Sequence, residues 1–279
     1  MVSEAKAFAP ANISCIFKIY EHKNPRWMGS YGIGFTLNEG VIAEVSKAKR
    51  NDIVFNDVSI RFPTAISVIN KLTKEKIRVC IKTKLPLGCG FGLSGASTLA
   101  AAYAINKILN LKKSNKELAI IAHTAEVENK TGLGDVVNQY FGGFCLKLKP
   151  SSYFEVKKIR LSNVDVYCKY FGKISTKSII TDMKIKAKIN DAADNSLSII
   201  KQLINNNENI QFEGIIKISK DFAIKSGLLK DKQTAETIKE IENVNGNASM
   251  IMLGNAVFSN KPFKDSMKFK ITDKGAHLV

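Results

Sequence analysis

The reading of this chain turns on LPLGCGFGLSGAST, residues 85–98. Glycines alternate at Gly88, Gly90 and Gly92, and Ser94, Gly95 and Ser97 follow. An alanine-rich apolar run, LAAAYAINKIL, comes directly after at 99–109. A plain turn needs one or two glycines, whereas here four fall within residues 88–95. Glycines this dense let backbone approach a ligand closely and leave N–H groups unhindered. A loop of that kind feeding a helix, expected from Ser94 to Leu109, predicts a cradle for an anion, phosphate first.

Two phosphate-loop types are excluded by their surroundings. GFGLSG at 90–95 satisfies G-x-G-x-x-G, but a dinucleotide fold needs a buried parallel strand after the helix. The segment that follows, NLKKSNKE, is too polar for that, and Glu117, near the right spacing, belongs to a helix. No Lys-Ser or Lys-Thr closes the loop, so it is not a Walker loop either.

The 279 residues suffice for one large domain or two modest ones. No run of eighteen apolar residues predicts a transmembrane helix. The start, MVSEAKAFAPANIS, lacks the basic-then-apolar plan of a signal peptide, so a cytoplasmic protein is expected. Five cysteines, an odd number with no CxxC pair, argue against disulfides and zinc. Cys89, inside the glycine loop, is expected to report on ligand through alkylation. The net charge of +17 favours an anionic partner, nucleotide phosphates or nucleic acid. Its basic residues form only short clusters (KKSNKE, KIKAKIN, KKIR) without interleaved aromatics, which argues against nucleic acid.

Outward from the loop, residues 4–9 and 13–20 read as strands with a tight turn at Pro10 and Asn12. GSYGIGFTLNEGVIAEVS reads as strand, Asn-Glu-Gly turn and strand, and 77–85 as another strand. Ser114 with Glu117 predicts a capping box opening a second helix, which TGLGD breaks. FCLKLKP, 153–161 and 164–170 read as strands, 176–243 as mostly helical, and ASMIMLGNAVFS as strand, glycine turn and strand. The pattern is α+β, with a boundary near residue 155 that separates 1–155 from 156–279.

Pro86–Ala96 resembles the second motif of the GHMP kinases, P-x-G-x-G-L-G-S-S-A. APANIS, Ala9–Ser14, and SMIMLGNAVF, Ser249–Phe258, stand where the first and third motifs of that family belong. GSYGIGFTLNEGV, AHTAEVENKTGLGDVVNQYFGG, GKISTK and ASMIMLG further resemble its archaeal branch, whose acceptor is pantoate. The resemblance implies an N-terminal α/β domain like domain 2 of ribosomal protein S5 (1–155) and a C-terminal ferredoxin-like α+β domain (156–279). It implies ATP between them, Mg²⁺, pantoate as partner, and a homodimer. Homoserine or mevalonate as acceptor is the alternative within the family, and a non-catalytic nucleic-acid-binding protein the alternative outside it.

The resemblance assigns roles residue by residue. Pro86, Gly88, Cys89, Gly90, Gly92, Leu93, Ser94 and Gly95 would hold the triphosphate. Ser94 would also reach the metal and assist catalysis; its structural reading is helix N-cap. Glu126 would bind Mg²⁺, which suits a carboxylate oxygen, and otherwise is a solvated surface residue. Glu128, two positions on, is the rival and faces another side of the helix. Asp135 would be the base, and otherwise a helix cap. Ser30, His123, Lys147 and Thr176, with Ser175 beside it, would hold the substrate. Met250, Met252 and Leu253 read as core. Relatives of the mevalonate kinase type carry a lysine where Asn12 stands, so Asp135 is expected to do the proton work alone. Leu93 and Gly95 replace the usual Ser and Ala, and Met250 and Met252 replace glycines.

Overall fold

The computed structural model describes residues 4–161, 163–206 and 210–279. Two very long strands organise it, β1 (Glu4–Tyr20) and β2 (Gly29–Lys47), paired antiparallel from Glu4↔Ser46 to Tyr20↔Gly29. The turn expected at Pro10 and Asn12 is instead a register shift inside one continuous strand, with a second shift between Ser14 and Ile16. Proline lacks the ladder donor, and a bulge accommodates it without ending the strand. The expected Asn-Glu-Gly turn is likewise strand. Gly40 is there because a Cβ would stand 2.2 Å from the Ala9 carbonyl oxygen across the ladder.

Then follow β3 (Asp52–Phe55), β4 (Val58–Ser59), α1 (Pro63–Leu72) and β5 (Ile77–Lys82). After the glycine loop come α2 (Leu93–Leu109), α3 (Asn115–Asn129), α4 (Asp135–Phe141) and β6 (Phe144–Lys147). The strand expected over 153–161 is a 3-10 turn at Ser151–Tyr153 and a short β7 (Lys157–Ile159). The remainder is β8 (Asp165–Lys173), α5 (Thr176–Thr181), α6 (Met183–Asn205), α7 (Phe212–Lys225) and α8 (Lys232–Asn243). It closes with β9 (Ala248–Met250), β10 (Gly254–Ser259), β11 (Met267–Lys270) and β12 (His277–Leu278).

One sheet runs β12-β1-β2-β5-β3-β4, with β6 on β2 and β7 on β6; the other runs β11-β8-β10-β9. Among the described residues only β3 and β5 pair in parallel, so the α+β expectation stands. The eight-stranded sheet takes strands from both sides of residue 155, since β7 and β12 belong to it. Phe35 joins the two sheets, its ring centroid 5.1–5.7 Å from those of Phe144, Phe212 and Phe258. No helix among the described residues is long and apolar enough to cross a membrane.

Helix α2 packs on β1 and β2, with α1 and α3 against it. Leu93, Gly95–Ile105 are all buried. A helix covered on every side shows no polar stripe, and its alanines admit neighbours on all faces. The capping box forms as expected: the Ser114 hydroxyl accepts from Glu117 N (3.3 Å), and the Glu117 carboxylate accepts from Ser114 N (2.8 Å).

Candidate active site

The glycine loop floors a cleft of about 370 Å³. Gly88, Gly90 and Gly92 all have positive φ (87°, 87° and 62°), where side chains are strained. The loop's carbonyls are tied to protein: Gly88 O accepts from Ile174 N (3.2 Å) and Phe91 O from Asn12 N (3.0 Å). Gly92 O accepts from Gln139 Nε2 (2.7 Å). In trans peptides the N–H points opposite to the carbonyl, so the N–H groups of Cys89, Gly92 and Leu93 face away from these partners. Gly92 is the N-cap of α2 and no side chain caps that helix. Its first N–H groups therefore remain for a ligand at the positive end of the helix.

The third motif supports this loop from outside. A Cβ on Gly254 would lie 2.1 Å from Cys89 O, and one on Gly90 2.7 Å from Ile251 Cγ2. Cys89 itself is 3% exposed, and burial raises its thiol pKa. The expected alkylation report on ligand is therefore corrected; the thiol is packed away. Pro86 and Gly95 do not line the cleft, whereas Gly88, Gly90, Gly92, Leu93 and Ser94 do.

Ser94 is not a cap. Its hydroxyl donates to Glu126 Oε1 (2.5 Å), and so does the Thr131 hydroxyl (2.8 Å). Glu126 is 2% exposed, and its Oε2 has no partner among the described residues. Burial pushes its pKa up to about 7, against the pull of the Ser94 and Thr131 hydrogen bonds and with a further push from Asp135. A solvated surface glutamate is thus excluded. Glu128 does not line this cleft; it faces the neighbouring one beside α1, paired with Lys71 at 2.8 Å.

Asp135 opens α4 but does not cap it. Its Oδ1 accepts from Asn12 Nδ2 (2.7 Å) and lies 3.4 Å from the Ser14 hydroxyl. Asn138 Nδ2 donates to Asn12 Oδ1 (2.8 Å), and Lys147 Nζ to Asn138 Oδ1 (3.0 Å). Burial pushes Asp135 up, against the attraction of Lys147 and the Asn12 and Ser14 hydrogen bonds. Burial likewise pushes Lys147 down, against the attraction of Asp135. Asp135 is half-buried and lines the cleft; Lys147 is buried beneath it.

Ser30, Ser175 and Thr176 reach the cleft. Ser175 also caps α5, accepting from Ser178 N. His123 does not reach the cleft: it is 1% exposed, with Nε2 2.9 Å from Met28 O. Desolvation lowers its pKa to about 4, so it is neutral at pH 7. Met250 and Met252 are core as expected, 1% and 2% exposed, and Met252 also lines the cleft, with Phe17 and the half-buried Leu253. The sequence reading missed Thr131, Asn138 and Gln139, all in or just after TGLGD, because nothing in their spacing marks them.

The glycine loop, the Ser94–Glu126 pair and the cleft-facing Asp135 thus meet at one cleft. Residues 61–143 match the family model for the GHMP kinases N terminal domain. The pantoate kinase of Methanocaldococcus jannaschii is 35% identical over 258 residues, covering 90% of each chain. The chain therefore belongs to the pantoate kinases, within the GHMP kinase family. A solved phosphotransferase related to the CoA biosynthesis pathway superposes with TM-score 0.84, at 24% identity, over 99% of this chain and 98% of the other. The complex of MDDEF with MVAPP, AMPPCP and magnesium superposes with TM-score 0.74, at 14% identity, over 99% and 98%.

Proposed function

We propose that this chain transfers the γ-phosphoryl group of ATP to the primary hydroxyl of pantoate, giving ADP and 4-phosphopantoate. The observation that carries the reading is the meeting of glycine loop, Ser94–Glu126 pair and Asp135 around one cleft. The family relationship supplies the acceptor. The triphosphate lies on the N–H groups of the loop and of α2. The nucleoside end extends past Phe62 and Asn129, which this cleft shares with a wider one beside α1.

Mg²⁺ fits the donor set. Glu126 presents a buried carboxylate oxygen without a partner, and Ser94 a hydroxyl at its other oxygen. Such hard oxygens suit Mg²⁺, which takes one or two protein ligands and otherwise waters and phosphate. When bound it gathers the charge of the phosphate oxygens.

The acceptor end is lined by Phe17, Met252 and Leu253, which suit the dimethyl carbon of pantoate, and by Ser30 and Thr176, which suit its hydroxyl and carboxylate. Lys147 adds a positive charge beneath Gly134, its Nζ 3.4 Å from Gly134 O. Asp135 Oδ1 is held by Asn12 and Ser14, while Oδ2 has no partner among the described residues. As the hydroxyl oxygen bonds to the γ-phosphorus, its proton passes to Asp135 Oδ2. The bond from that phosphorus to the β,γ-bridging oxygen breaks, and ADP leaves.

The test is ADP release from ATP and Mg²⁺ with pantoate, beside homoserine and mevalonate. Release with pantoate alone is expected. Release only with another alcohol overturns the acceptor, and release with none overturns the kinase reading.

A further inference from the structure

Asn12 stands where related kinases carry a lysine, and buried side chains connect it both to Asp135 and to a lysine on β6. From Asp135 runs a line of side chains: Asn12 of β1, Asn138 of α4 and Lys147 of β6, with links of 2.7, 2.8 and 3.0 Å. Asn12 and Asn138 are 0% exposed and Lys147 3%. Oxygen and nitrogen of an amide look alike in outline, but chemistry leaves this line one direction. A lysine ammonium has donors and no acceptor, so Asn138 must show it Oδ1. The Asn138 NH₂ then points to Asn12, Asn12 must answer with its own Oδ1, and the Asn12 NH₂ is left to donate to Asp135. An ionised carboxylate accepts and does not donate, so the far end agrees. Each bond polarises the next in the same sense.

We propose that Asn138 is a positioning residue for the phosphoryl transfer. Through Asn12 it turns the Asp135 carboxylate so that Oδ1 is engaged and Oδ2 faces the acceptor hydroxyl, and Lys147 sets the polarity of the line. The proposal rests on the reading of Asp135 as the proton acceptor. Two neutral amides thereby carry the influence of a lysine that stands on β6 rather than at position 12. Without the Asn138 NH₂, the Asn12 Oδ1 loses its donor, and the amide is held only by its NH₂ bonds to Asp135 (2.7 Å) and Ser14 (3.2 Å).

Asn138→Asp is the sharp test, because it keeps shape and the Lys147 contact while removing the donor. Asn138→Leu is the neutral companion. With either, pantoate-dependent kcat is expected to fall at least about thirtyfold while the KM for ATP stays within about threefold. Turnover within threefold of the unsubstituted protein overturns the proposal. So does a parallel loss of ATP affinity and turnover, which marks a merely structural residue. A second readout needs no turnover: ¹⁵N spectra of the side-chain NH₂ groups in hydrogen exchange. The Asn12 pair, assigned by its loss in Asn12→Ser, is expected to be protected in the native protein and to lose protection in Asn138→Asp. Unchanged protection overturns the proposal. Absence of pantoate-dependent ADP release in the unsubstituted protein would sink the substrate reading instead, and the exchange result still decides the relay.

Discussion

Replacing Glu126 by Gln in metal-free protein isolates the cost of burying one carboxylate. Glu126 is 2% exposed, with hydroxyls from Ser94 and Thr131 on one oxygen and nothing on the other. Burial holds its pKa at about 7, above the ordinary 4.5. The folded state therefore binds this proton more tightly than the unfolded chain. The stability this confers is fully present below pH 4.5 and is lost as pH rises through about 7. The whole gap is worth about 3 kcal/mol, of which about 2 kcal/mol falls between pH 5.5 and 8.5. For a chain of this size that is about 4–8 °C in Tm. Glutamine keeps the shape and an acceptor oxygen but cannot ionise. Urea unfolding in EDTA without nucleotide, at pH 5.5 and 8.5, should show the native protein losing about 2 kcal/mol more than Glu126→Gln over that interval. Other titrating groups remain in both proteins and cancel to first order, except for the repulsion between Glu126 and Asp135, which only the native protein has. Adding Mg²⁺ at pH 8.5 should stabilise the native protein and not the variant. Parallel pH dependence in the two proteins would refute the reasoning, because it would mean that Glu126 is already ionised and compensated without metal.

Asp135→Ala is expected to lower pantoate-dependent turnover by about 10²–10⁴-fold, the usual worth of a positioned base, with ATP affinity measured by calorimetry nearly unchanged. Equal losses in both would assign Asp135 to nucleotide binding. Gly254→Ala forces a methyl to within 2.1 Å of Cys89 O; ATP affinity should drop at least about tenfold as the loop is displaced. Wild-type affinity would mean that the third motif does not brace the cradle. Glu128→Gln removes the charge of a half-exposed pair with Lys71 and perturbs a hydrogen bond from the Ser67 hydroxyl (3.3 Å). It should cost less than about 1 kcal/mol in unfolding experiments and leave the Mg²⁺ concentration dependence of turnover in place. A lost Mg²⁺ response would make Glu128 the metal ligand after all.

What the sequence by itself determined is local. Alternating glycines dictate the loop, because only glycine tolerates positive φ at three alternate positions without strain. Ser114 and Glu117 dictate a helix start, because both donor and acceptor lie three residues apart. The order of three motifs identifies the family, and with it Ser94, Glu126 and Asp135 as residues of one site. Spacing alone could not say that Pro10 and Gly40 sit inside continuous strands. Turn-forming residues signal a chain reversal, but the long antiparallel ladder of β1 and β2 overrides that signal by absorbing Pro10 at a register shift. Nor could spacing show that Glu126 turns inward while Glu128 turns to Lys71, or that His123 bonds Met28 rather than reaching the cleft. The tertiary structure alone decided the line from Lys147 to Asp135. Asn12 and Asn138 stand 126 positions apart, and nothing in the residues around either one marks the other. They meet because β6 pairs with β2 beside β1, bringing α4 over the first motif, and a buried amide must bond whatever donor or acceptor the fold brings to it.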